Sequence, residues 1–435
     1  MAIDRSYTRV RQEERQSTKS LIFVWVGIVV CAPALMIGAI LTSSFSFGEV
    51  IFIIATSYIL LCGLMVLNGV MACETGYPLT VLLGKTFGEK GSRYLIASLT
   101  AIFQLVQSSI QTAVCAASIC AGLSVLGIDL PFLVSGIFCA VVITLTAVFG
   151  YDSMKWLGYI AVPFLLLTCL WACVASGTSY GWENLLAFRP ERTMSWADGY
   201  GMTLGTFALG TMTTTNLTRF AKSRKGVAIS SFLGIIPAAV IFMGMGSLMS
   251  ITAGTYDLTE IFVKLNMPIV GMLALLLATW TTNTTNFYMS GINFVRLFNL
   301  PETKRPHVTA IACAFAAVLT LAGIMNYFSD VMTLFGKVFP ALCGIMVADY
   351  WVIGHGKIEN WGMVPGWNWV GVAAWAIGAA VGLFFNFFSP AINSLIVGFA
   401  AYLVLHATFK SSIPPAQDPV DFFGAGDEMA VEKKS

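Results

Sequence analysis

Gly205-Thr206-Phe207-Ala208-Leu209-Gly210-Thr211-Met212-Thr213-Thr214-Thr215 stands in the middle of an apolar run covering 196–218. Two glycines bracket four residues, and a threonine cluster follows. Glycine inside a helix costs about 1 kcal/mol against alanine, and threonine is stiff at χ1. The run is long enough for a bilayer, which takes roughly 20 apolar residues. The stretch therefore predicts a membrane helix interrupted near its middle. The first apolar run, 20–43, carries a matching break at Cys31-Ala32-Pro33-Ala34. Proline there removes a backbone donor and clashes with the preceding turn.

Outward from these two runs, further apolar stretches lie at about 48–72, 94–125, 131–149, 155–175, 226–252, 265–295, 307–326, 330–352, 367–387 and 389–409. That makes twelve. Hydrophobic residues form 57% and charged residues 11% of the 435, against about 25% charged in soluble chains. Too little polar surface remains to cover a soluble globule. The expected class is an all-α integral membrane protein of about 12 transmembrane helices. Soluble enzymes, nucleic-acid binders and disordered chains are excluded, and so is an outer-membrane barrel, whose strands alternate.

Runs one and six each lead a block of five, at 20–175 and 196–352. The third run of each block is the polar one: Gln104, Gln107, Ser108, Ser109, Gln111 and Thr112 in run three, and Thr279, Thr281, Thr282, Asn283, Thr284, Thr285 and Asn286 in run eight. Five is odd, so the second block is inverted relative to the first. Helices 11 and 12 follow at 367–409, and polar tails occupy 1–18 and 410–435. Broken helices at matching places in inverted halves point to a transporter whose site lies at mid-membrane. The blander reading is a packing kink at Pro33 and close-packing glycines.

Lysine and arginine set the orientation. Of 24, twenty fall in the tails and alternate loops, Arg189, Arg192 and Lys264 fall on the other side, and Lys337 lies within a helix. Both termini are expected in the cytoplasm. The first run lacks a cleavage site and reads as a retained helix. The ten cysteines all sit in or beside apolar runs and read as small hydrophobes. No nucleophile–base set, metal cluster or phosphate loop occurs, so the chain reads as no enzyme, with no cofactor and no use of ATP. Gradient-driven transport remains.

Ala278, Thr281 and Thr282, spaced i, i+3, i+4, put one carbonyl and two hydroxyls on one helix face. Hard cations take oxygen ligands, and the break in helix one frees carbonyls near Gly27 and Val30. These five oxygens make a candidate sodium site. Alternatively, both threonines bond back within their own helix. Carboxylates are nearly absent from mid-membrane, which favours sodium over the proton. The candidate substrate lining is Cys31, Ala32, Gln107, Gln111, Phe207, Leu209 and Asn283. A carboxamide both donates and accepts, which suits amide or ring-nitrogen edges, and Phe207 can stack on a flat ring. The alternative reading of the glutamines is helix-to-helix struts. Lys337 either faces the substrate or couples transport to protons, or it snorkels to the interface.

These residues resemble the nucleobase–cation symporter family of cytosine, purine, hydantoin, allantoin and thiamine carriers, and are most similar to its bacterial cytosine permeases. The likeness rests on Gly205 to Phe220, on Trp280-Thr281-Thr282-Asn283 running on to Tyr288-Met289-Ser290-Gly291, on Ile160-Ala161-Val162-Pro163, on Ala348-Asp349-Tyr350, and on the Thr75-Gly76 and Phe87–Gly91 loop. The resemblance implies two inverted five-helix repeats plus two helices, working by alternating access in a bacterial cytoplasmic membrane. It places sodium on Gly27, Val30, Ala278, Thr281 and Thr282, the stacking aromatic on Phe207, helix-one contacts on Cys31 and Ala32, and a substrate glutamine on Gln111. The chain departs from the family at Gln107, where a tryptophan is common. Leu209 replaces serine and Ala278 replaces asparagine relative to cytosine carriers, and Lys337 replaces a small apolar residue. The expectation is a sodium-coupled importer of a small nitrogenous heterocycle, cytosine or a related nucleobase or hydantoin-like ring. The alternatives are a proton-coupled or uncoupled carrier of a vitamin precursor or allantoin-like ring using Lys337, or a substrate-sensing transceptor. The oligomeric state is left open.

Overall fold

The computed structural model describes residues 9–149, 151–385 and 389–418. Parts of both predicted tails, 1–8 and 419–435, lie outside the described residues, as do 386–388 of the eleventh run. The twelve spans are α1a (Thr18–Val29) with α1b (Ala32–Leu41), α2 (Phe47–Thr75), α3 (Ala97–Ser124), α4 (Phe132–Phe149), α5 (Tyr151–Ser176), α6a (Trp196–Phe207) with α6b (Gly210–Thr218), α7 (Arg224–Ala253), α8 (Pro268–Leu297), α9 (Arg305–Leu321), α10 (Phe328–Val347), α11 (Trp369–Phe384) and α12 (Pro390–Phe409). No strand occurs among the described residues. Six helical stretches are long and apolar enough to cross a membrane unaided, and α1a with α1b form a seventh span bent by 59°. The others are shorter, like α4, α9 and α11, or diluted by threonine and asparagine, like α8. The chain is an all-helical membrane protein with the inverted-repeat architecture.

Helices α1, α2, α6 and α7 pack as one group, with α7 running along both halves of α1 and along α2. Helices α3, α4, α8 and α9 form a second group, with α3 and α8 lying side by side along their lengths. Helix α5 touches both, through α7 and α8, while α10 packs on α6a and is backed by α11 and α12. Between the groups runs a seam where α1b meets α3 and α8. Apolar faces alone do not select this arrangement in lipid. Small residues do, because they let backbones close on one another. A Cβ added at Gly38 would lie 1.8 Å from the Met243 carbonyl oxygen, and one at Gly246 would lie 2.2 Å from that of Leu35, so α1b and α7 meet backbone to backbone.

Both described tails reach the same end of the molecule. The Val10 amide donates to the Gly76 carbonyl at 3.0 Å and Gln16 to that of Phe220 at 2.7 Å, while Met363 and Gln417 exchange two backbone bonds of 2.8 Å. An even span number requires this. We call it the tail end. Three short helices were not expected: Leu79–Thr86, Trp182–Ala187 and Leu258–Lys264. The Phe87–Gly91 segment, read above as loop, is a sharp turn followed by helix. Gly88 sits at φ +79°, and a Cβ there would meet the Gly366 carbonyl oxygen at 2.3 Å, a conformation and approach open only to glycine. Helix then continues from Gly88 through Ser124.

Candidate functional site

The two interruptions differ in kind. In the first, Cys31 is extended at φ −145°, ψ 158°, and Pro33 sits in the first turn of α1b, where its missing N–H costs nothing. The Cys31 amide donates to the Val29 carbonyl at 2.9 Å, and the Ala34 amide to the Cys31 carbonyl at 3.1 Å. In a continuous helix those donors would serve Gly27 and Val30. The carbonyls of Gly27 and Val30 are thereby released from helical pairing, and Gly27 borders open space on its Cα side. In the sixth span only Ala208 and Leu209 leave the helix. The amides of Met212 and Thr213 both return to the Leu209 carbonyl, at 3.0 and 2.9 Å. The bracketing glycines do not act as breakers. A Cβ at Gly205 would lie 1.9 Å from the Met332 carbonyl oxygen of α10, and one at Gly210 would strike the Phe207 ring at 2.4 Å. They are close-approach positions, and the break lies between them.

Tyr58 of α2, absent from the residues read from the sequence, packs against the second break. Its ring lies 6.1 Å from that of Phe207, tilted by 40°. The residue is 1% exposed. The Thr56-Ser57-Tyr58 step within the apolar run was the available signal, since a buried hydroxyl needs a partner or a cavity. Asn68, about two turns short of the tail end of α2, was also missed. Its amide donates to the Thr211 carbonyl at 3.2 Å, holding the start of α6b.

The polar faces of α3 and α8 meet. Asn293 donates to Gln104 at 3.1 Å. Asn283 donates to the Ser108 carbonyl at 3.2 Å and to Thr112 Oγ1 at 3.0 Å. Half of Asn283 is therefore a strut between helices, while its Oδ1 is buried without a partner. Gln111 is 0% exposed, yet neither its Nε2 nor its Oε1 has a hydrogen-bond partner. Gln107 Oε1 and Ser108 Oγ are orphaned likewise. Each unmet buried polar group costs about 1–3 kcal/mol, so this cluster of them on one face of α3 demands an explanation, and a polar ligand is one. Ala32 and Leu209 are buried and Cys31 and Phe207 half-buried, all within one apolar cluster at the breaks.

On α8, Thr281 Oγ1 and Thr282 Oγ1 both donate to the Ala278 carbonyl, at 2.8 and 3.0 Å. This is the back-bonded arrangement. It uses the hydroxyl protons and leaves oxygen lone pairs for a cation. Among the described residues no group of three His, Cys, Asp or Glu could hold a metal.

Lys337 stands apart. Phe335 and Phe339 of α10 face Phe103 of α3, with centroids at 4.4 and 5.3 Å. Lys337 lies about 160° around the helix from both. Its carbonyl is met by Gly382 of α11, beside Ser394 and Pro390 of α12. The Lys337 backbone thus borders α11 and α12, on the face of α10 turned away from α3. Lys337→Met is expected to leave uptake within about twofold of wild type, the range of a surface change. Measured uptake in expressing cells checks this, and loss of transport at equal expression would restore the coupling role.

With this geometry in place, the chain matches the family model described as permease for cytosine/purines, uracil, thiamine and allantoin, over residues 9–407. The chain belongs to that family. It is 24% identical to the hydantoin permease of Microbacterium maritypicum over 431 residues, covering 89% of this chain and 84% of that protein. It is 23% identical to the allantoin permease of Bacillus subtilis (strain 168), covering 90% and 91%. The fold superposes on the inward-facing conformation of Mhp1 with a TM-score of 0.83 at 20% identity, covering 96% of each chain. The chain is therefore a permease and not an enzyme, and the transporter fold expected from the two breaks is the one it adopts.

Proposed function

We propose that this permease imports a small planar nitrogen heterocycle of the nucleobase, hydantoin or allantoin type by sodium-coupled alternating access. The observation that carries the substrate class is the buried, doubly unpartnered amide of Gln111 beside the orphaned oxygens of Gln107 and Asn283. An amide that needs both a donor and an acceptor suits the lactam edge of such a ring, which offers both. Phe207 and Tyr58 supply ring faces. Leu209 and Ala32 close the site with apolar surface.

For sodium, the support is two sets of neutral oxygens: the carbonyls released at Gly27 and Val30, and the Ala278 carbonyl with the Thr281 and Thr282 hydroxyls. A neutral oxygen set with no carboxylate fits a monovalent hard cation. Substrate binding in the seam would draw the two helix groups together, and their relative rocking would open the site to either side. The excess of lysine and arginine at the tail end supports a cytoplasmic orientation for both tails, in the inner membrane of a bacterium.

The test is thermal unfolding of the purified chain with nucleobases, hydantoins and allantoin, each with and without sodium. A bound ligand raises stability by mass action, and sodium and substrate must tighten one another by the same factor. Stabilisation that is identical in potassium removes the sodium coupling. Thr282→Ala takes away one of five ligands and is expected to weaken sodium about tenfold, or 1.4 kcal/mol, read as the sodium concentration for half-maximal uptake. An unchanged value removes Thr282 from the site.

A further inference from the structure

A cleft of about 530 Å³ opens at the tail end, where four separate segments converge: the N-terminal segment, the end of α2, the α6b–α7 turn and the α10–α11 connection. Five cations line it, Arg9, Arg15, Lys222, Arg224 and Lys357, against two carboxylates, Glu74 and Glu359, for a net +3. Glu74 is already committed, since it pairs with Arg224 and accepts from the Tyr350 hydroxyl at 2.6 Å. Arg15 spends one amino group on the Ala221 carbonyl at 2.9 Å, while its Nε is buried with no protein acceptor. Lys222 and Lys357 are exposed. Helix α7 begins at the cleft with Ser223 as its cap, so the positive end of a 30-residue helix dipole adds to the same field.

We propose that this cleft binds a phosphate-bearing anion, the headgroup of an acidic phospholipid or free phosphate. The chemistry is that of clustered cations around a helix N-terminus, which recognises a phosphoryl group. The position, at the ends of the membrane helices, suits a headgroup. Helix α1a, whose first residue Thr18 packs beside Gly226 of α7, presents Phe23 at 77% exposure to the surroundings an acyl chain would occupy. An anion there ties the α1–α2–α6–α7 group to the connection that follows α10.

The full chain, delipidated in neutral detergent, is followed by thermal unfolding with phosphatidylglycerol, phosphatidylcholine or inorganic phosphate. Phosphatidylglycerol is expected to stabilise it and phosphatidylcholine not. If inorganic phosphate alone gives the whole shift and displaces the lipid, the site is confirmed with the free ion as its occupant. Lys222→Gln with Lys357→Gln should weaken phosphatidylglycerol about 30-fold. Lys19→Gln with Lys225→Gln, equally basic but outside the lining, should leave it unchanged. Equal stabilisation by the two lipids, or equal loss in the two double variants, overturns the proposal.

Discussion

Replacing Gln111 by leucine is expected to abolish uptake while raising the stability of the folded chain. The two effects have one cause. Gln111 is fully buried with both ends of its amide unpartnered, so in the absence of ligand it costs the protein about 1–3 kcal/mol. Leucine has nearly the same volume and no polar atoms, and its removal of that penalty should raise the unfolding temperature. The same change deletes the donor and the acceptor that the proposed substrate would meet. Two lost hydrogen bonds in a closed site correspond to a fall of at least about 100-fold in kcat/KM. Substrate uptake and thermal unfolding on the same preparation check both signs. A destabilised variant would show that Gln111 is a strut between helices, and a stable variant that still transports would remove it from the site.

The second large effect concerns stability alone. Lys85 and Asp349 form an ion pair at 3.3 Å with side chains 12% and 4% exposed. Asp349 Oδ1 also accepts from the Tyr402 hydroxyl at 3.0 Å, and Lys85 Nζ donates to the Asn360 carbonyl at 2.7 Å. The pair bolts the short helix Leu79–Thr86 to the end of α10 and to α12. Breaking a buried pair from one side strands the other charge, at a cost of about 3–5 kcal/mol. Lys85→Met is expected at the low end, about 3 kcal/mol, because Tyr402 still serves the carboxylate. The double change Lys85→Met with Asp349→Leu should recover most of the loss, since no charge is left behind. Unfolding midpoints of the single and double variants measure this, and additive losses would show the two residues to be uncoupled.

Much of the architecture was legible because membrane physics writes it in one dimension. Twelve apolar runs, a proline at 33, an odd block length and two polar runs in register needed no knowledge of neighbours. The site was legible in composition and less so in orientation. Asn283 read as substrate lining, yet its nitrogen is spent on Ser108 and Thr112. Gly205 and Gly210 read as breakers, yet both exist for what packs on them. The sequence orders residues around their own helix but does not say which helix faces which side. That is why Lys337 could be assigned to a substrate and is found beside α11 and α12, and why Tyr58, on a helix with no polar stripe, went unseen. The short helices escaped because a search for bilayer-length runs cannot detect eight residues.

The backbone-to-backbone seam between α1b and α7 has a consequence for how this protein can change. No side chain stands between Gly38 and Met243 or between Gly246 and Leu35, so nothing there can be trimmed or enlarged to retune the fit. New ligand preferences must therefore be acquired elsewhere, through the side chains of α3 and α8 and those at the two breaks, while Gly38 and Gly246 admit no substitution. A directed-evolution library would return silence at Gly38 and Gly246 and its gains among the side chains that face the site.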